Sequence, residues 1–224
     1  MTIYNKDSRL SEAVMAQPSL ISVIDRLGVT IGVGDESIDS ICRKQGIDVA
    51  FFLSVVNTFL DEQYFPQNSR DTFSLAKTID YLEKTDFYYL HALLPNIDRH
   101  FSSLMSRSGM NNNLSMLQRF YGEASAQLRD CIQYDTQILY PSLREGFAPE
   151  DYLEHAGMHS EVEEKLHDLL YFFVAHLHGD YDHNLCVAVI TAVFSLQKDI
   201  RQNNRIRRRI LIPMIGGKFE TPQC

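Results

Sequence analysis

Four long stretches of this chain repeat apolar residues every three or four positions, a period that commits most of it to amphipathic helices. The first runs from about Asp71 to Arg107 through Leu75, Ile79, Leu82, Asp86, Tyr89, Leu93, Ile97, His100 and Leu104, with a kink expected at Pro95. The second runs from about Leu114 to Glu145 through Leu117, Tyr121, Ala124, Leu128, Cys131, Asp135, Ile138 and Ser142, and fades at Pro141. The third runs from about Pro149 to His178 through Leu153, His159, Val162, Leu166, Leu169, Phe173 and Leu177. The fourth, from about Asn184 to Ile215, carries Val193, Leu196, Ile200, Asn203, Arg207, Ile210 and Met214 on one face. Helices of roughly 25 to 35 residues with connections as short as Ser108–Asn113 and Gly179-Asp180 predict an all-α protein, an up-down four-helix bundle over about residues 70–217.

Shorter patterns precede it. Leu10, Val14, Leu20, Val23, Ile24 and Leu27 give two short helices broken at Pro18. Gly28, Gly32 and Gly34 punctuate a turn whose spacing is not that of a phosphate-binding loop, and no Gly-Lys-Ser/Thr follows. Ser37, Ile38, Ile41 and Cys42 open a short helix that stops at Gly46, and Asp48 reads as the N-cap of another. This predicts a small helical N-terminal domain over about residues 1–65, with its first ten residues frayed or extended and a linker at Gln63–Asn68.

A net charge of −8 argues against general nucleic-acid binding, which needs a basic surface. No apolar run reaches membrane-spanning length and no apolar signal opens the chain, so the expectation is a cytoplasmic protein that meets neither membrane nor nucleic acid. Cys42, Cys131, Cys186 and Cys224 are scattered without zinc or redox spacing and read as free thiols. Arg201, Arg205, Arg207, Arg208 and Arg209 read as a mostly solvated basic helix face near a C-terminus.

Each long helix carries a polar interruption on its inward stripe: Asp86, then Cys131 with Asp135, then His159, then Asn203 with Arg207. A buried polar group is costly unless something answers it, and bundle cores are where facing side chains build metal sites. His155 and His159 sit at i and i+4, a ligand-capable spacing, although no partner for His155 is legible. His176, His178 and His183, with Asp180 and Asp182, read as a solvated loop.

The stretch Cys131 to Pro141 resembles the His-xxx-Glu-xxxxx-Pro helix of hemerythrin-like proteins, and Asn203 to Pro213 repeats that frame. Met158-His159-Ser160-Glu161 resembles the family's single-His helix, and Lys84 to Leu90 with Leu94-Pro95 resembles the helix that begins with a His pair. Pro18 to Asp48 looks like the small domain that leads the bundle in the di-iron iron–sulfur-cluster repair proteins. The resemblance implies a di-iron centre tied to repair of damaged clusters, but this sequence departs from the ligand pattern. Ile31-Gly32-Val33-Gly34 stands where the leading domain's Cys pair belongs. Asp86-Phe87 replaces the His pair, Ser108 or a neighbour replaces a later His, and the His-xxx-Glu pairs read Cys131-xxx-Asp135 and Asn203-xxx-Arg207. A guanidinium has no lone pair to give a metal. The expectation is therefore a divergent, non-catalytic or regulatory member with its di-iron site lost and no cofactor. The alternative is an iron-binding repair, oxygen-sensing or nitric oxide-sensing protein using Asp86, Asp135 and His159. A protein partner or a second copy of the chain would be its company. Arg207 is expected to pair with Asp135 and with Asp86 in the metal's place, Arg205 and Arg208 to lie off the stripe, Cys131 to be buried and inert, and Cys224 to react first.

Overall fold

A computed structural model describes residues 3–66, 73–108 and 112–219. Among the described residues the secondary structure is helical with no strand, apart from one isolated antiparallel bridge between Arg9 and Ser37. The elements are α1 (Leu10–Ala16), α2 (Leu20–Arg26), α3 (Ile38–Lys44), α4 (Val49–Leu60), α5 (Leu75–Tyr88), α6 (Leu94–Arg107), α7 (Asn112–Tyr134), α8 (Tyr140–Glu145), α9 (Tyr152–His176), α10 (His183–Ile206) and α11 (Ile212–Phe219). The expected linker residues 67–68, the helix start at Asp71, the loop residues 109–111 and Cys224 lie outside the described residues. No helix among the described residues is long and apolar enough to cross a membrane.

Three five-residue π turns join helices that would otherwise meet a proline: Tyr89–Leu93 between α5 and α6, Asp135–Leu139 between α7 and α8, and Arg207–Leu211 between α10 and α11. Each opens six residues before Pro95, Pro141 or Pro213. A proline inside an α-helix removes a donor and drives its ring into the carbonyl four residues back. Here the N–H just ahead of each proline reaches back five residues instead, from Leu94 to the Tyr89 carbonyl, Tyr140 to Asp135 and Ile212 to Arg207. The wider turn makes room for the ring, and the helix runs on. Pro141 therefore does not end its helix, and at Pro95 the distortion takes the form of this π turn.

The extra residue also rotates the buried face. Ile138, expected inward, is 46% exposed while Leu139 and Tyr140 are buried; Leu93 is half-buried while Leu94 is fully buried. Leu153 is likewise exposed, because the inward stripe of α9 starts with His155 and not one turn earlier.

The chain forms two compact units, residues 1–84 with 205–224, and residues 85–204. The cuts fall inside α5 and α10. In the first unit Ser37 caps α3 by accepting from Ser40 N–H, and Asp48 caps α4 by accepting from Phe51 N–H. Of the opening residues expected to be frayed or extended, the described ones are tied down: Tyr4 exchanges two 2.9 Å hydrogen bonds with the Asn57 side chain, and Ile38 and Asp39 donate to the carbonyls of Ser8 and Lys6.

Arg205 and Arg207 of the basic cluster are not part of a solvated face. The last carbonyls of a helix have no partner within it. At the end of α4, Arg205 Nη2 donates to the Phe59 carbonyl at 2.9 Å, and Arg209 donates to those of Tyr64 at 2.6 Å and Glu62 at 2.7 Å. The Arg209 guanidinium also stacks over Phe65 at 4.1 Å. Arg205 and Arg207 are buried; Arg208 is exposed.

In the second unit one apolar core draws on α6, α7, α9 and α10, including Ile97, Phe101, Leu117, Leu128, Leu166, Phe173, Val193 and Ile200. Phe101 stacks on Tyr121 with ring centroids 4.9 Å apart and meets Phe173 at 5.9 Å. This core positions the polar cluster described next.

Candidate functional site

Helix α7 brings Cys131 to the interior, and one turn later the π turn opens with Asp135; Tyr140 follows at the head of α8. Helix α9 faces them with His155 and His159, also one turn apart. The i, i+4 spacing places both members of each pair on one side of their helix. All five side chains are buried, Cys131, Asp135 and Tyr140 completely.

Asp135 is the hub. Its Oδ2 accepts from His159 Nε2 at 2.9 Å, and its Oδ1 lies 3.3 Å from His155 Nε2. His155 Nε2 also lies 3.2 Å from the Cys131 carbonyl. The Tyr140 hydroxyl stands 2.8 Å from Asp86 Oδ2 and 3.3 Å from Asp135 Oδ2, so its single proton serves two buried carboxylates and favours Asp86. The Tyr134 ring stacks on His155 at 3.8 Å between centroids and its hydroxyl bonds Asp151, which orients the imidazole from behind. Burial, and then the Asp151 hydrogen bond, holds the Tyr134 phenol above the ordinary phenol range.

The structure brings Asp86, Cys131, Asp135 and His159 together as one group. It adds two residues that sequence reasoning did not place there. His155 had only its spacing as a signal; Tyr140 had the position before Pro141, which nothing in the sequence marks as inward. Cys131, His155 and His159 each offer a ligand-capable atom, and the three lie within 4.8 Å of one another.

Asn203 is engaged differently. Its amide donates to the Tyr89 hydroxyl at 3.1 Å and to Asp199 Oδ2 at 2.9 Å, while the Tyr89 hydroxyl donates to the same carboxylate at 2.8 Å. Its neighbour Asn204 donates to the His159 carbonyl at 3.1 Å and to Glu163 at 2.9 Å. Arg207 lies buried in the first unit, at the start of its π turn. Phe87, in the second position of the expected His pair, is 63% exposed and packs on His91. Ser108 accepts from Asp182 N–H.

A di-iron centre does not fit this donor set. Two divalent ions need many imidazole and carboxylate donors. Here position 207 offers a guanidinium, the Asn203 amide donates to Tyr89 and Asp199, and Phe87 points to solvent. Comparison with protein-family models, with curated proteins and with solved structures returned no match to this chain.

Proposed function

We propose that this chain is a divergent hemerythrin-like protein of the iron–sulfur-cluster repair type. It is organised as a small helical domain over about residues 1–65 and a four-helix bundle over about 70–217, and it acts without di-iron chemistry as a non-catalytic or regulatory member. The three proline-framed π turns support the bundle reading: each opens six residues before its proline, at Tyr89, Asp135 and Arg207, and all three residues are buried. In the resemblance the frames that open at Asp135 and Arg207 are those of the two His-xxx-Glu-xxxxx-Pro helices. The observation that carries the functional reading is the chemistry of the frame here. One repeat presents Cys131 and Asp135, while the other presents Asn203, whose amide donates to Tyr89 and Asp199, and a guanidinium that cannot ligate. The acidic chain fits a protein partner better than nucleic acid. The test is iron analysis with visible spectroscopy on protein expressed with iron supplied. Fewer than one iron per chain and no oxo-bridge band are expected; two irons per chain with that band would overturn the reading.

A further inference from the structure

We propose that Cys131, Asp135, His155 and His159 form a site for one zinc-class divalent cation in the interior of the second unit. This goes beyond the functional reading above and does not depend on it, since it rests on four side chains and not on a family.

Two observations carry it. The Cys131, His155 and His159 ligand atoms lie within 4.8 Å of one another, and all three residues are buried. The Asp135 carboxylate turns one oxygen to each imidazole, at 2.9 Å and 3.3 Å, from the same helix face as Cys131. Each helix thus presents an i, i+4 donor pair to the other, the spacing with which helices chelate a metal.

The donor types select the ion. Thiolate and imidazole together favour zinc over magnesium or calcium, which take oxygen, and four protein donors match zinc's tetrahedral preference. The charges also balance. A doubly positive ion with one thiolate, one carboxylate and two neutral imidazoles is neutral overall, which suits a core where an uncompensated carboxylate is costly. Binding forms the metal–donor bonds and sends the Cys131 thiol proton to solvent; nothing is oxidised or reduced. With four protein donors no position is open for a substrate, so the ion fastens α7 to α9 and performs no chemistry. Tyr140 and Asp86 are then positioning residues: Tyr140 reaches the Asp135 oxygen that faces His159 and is itself fixed by Asp86.

The test uses the full chain, stripped with a chelator and titrated with cobalt(II) alone as a spectroscopic stand-in for zinc. We expect one cobalt per chain, the visible bands of a tetrahedral ion, a near-ultraviolet sulfur-to-cobalt charge-transfer band, and displacement of all three by zinc. Cys131→Ser should abolish the charge-transfer band while Cys42→Ser and Cys186→Ser keep it. His155→Ala should weaken cobalt affinity by about 100-fold or more, and Tyr140→Phe by roughly 10-fold. Should the stripped protein unfold, zinc added during refolding should restore the circular dichroism of wild type and not of Cys131→Ser. A charge-transfer band that survives Cys131→Ser, or cobalt bound without any such band, overturns the thiolate site. Folded protein that takes up no cobalt also overturns it and leaves the functional reading standing; two irons per chain would overturn both.

Discussion

Tyr140→Phe is the cleanest probe of the buried cluster, because it removes one oxygen and leaves the ring and its packing in place. The wild-type hydroxyl has no solvent exposure and donates to Asp86 at 2.8 Å, with Asp135 at 3.3 Å. A hydrogen bond to a buried charged group contributes about 1.5–3 kcal/mol, and the longer contact adds less. Loss of the hydroxyl takes a donor from two buried carboxylates at once, so the expected destabilisation is about 2–3 kcal/mol. For a chain of this size that lowers the melting temperature by roughly 4–12 °C. Urea and thermal melts followed by circular dichroism, on chelator-treated protein, measure it. Asp86→Asn in the same background should recover part of the loss, because it removes one of the two buried carboxylate charges that the hydroxyl served, and the cycle should show coupling above about 0.5 kcal/mol. A Tyr140→Phe protein within about 0.5 kcal/mol of wild type, or strict additivity with Asp86→Asn, would refute the shared-proton account.

Arg205→Ala should cost about 2–3 kcal/mol in a urea melt, since it strips a charged donor from the Phe59 carbonyl at the end of α4, whereas exposed Arg208→Ala should stay within about 0.5 kcal/mol. Arg207→Ala should also destabilise, because it empties a buried position in the first unit, and the same urea melt measures it. Burial, then Asp39 and Asp48, pushes the Cys42 thiol from 9.0 up to about 11, so the folded state holds this proton more tightly than the unfolded chain. Its contribution is therefore complete below about pH 9 and is lost as pH rises toward 11; wild type should lose stability across that window that Cys42→Ala does not, as pH-dependent urea midpoints would show.

The helices themselves were legible because their information is local. A period of three to four in apolar residues says which side of a helix is inward, and Asp48 carries its cap beside the helix it starts. Asp86, Cys131, Asp135 and His159 could likewise be picked out as polar residues on apolar stripes, and the structure places them in one group. What failed were statements that needed a partner or a rotation. Counting in steps of three and four beyond Asp135 lands on Ile138, but the π turn forced by Pro141 adds a residue and hands the inward place to Leu139.

Spacing alone offered His155 no partner; Asp135 and the Cys131 carbonyl supply it from 20 or more residues away in the chain, across a helix–helix contact. Arg205 read as surface because arginine usually is, and it is buried because the end of α4, some 146 residues earlier, leaves a carbonyl that needs a donor. The sequence by itself determined where helices form, which faces are apolar and which polar residues must be answered. Only the tertiary structure decided what answers them, because hydrogen-bond partners and ligand sets are fixed by which helices pack together and by their rotation, and neither quantity is written into the period of one helix.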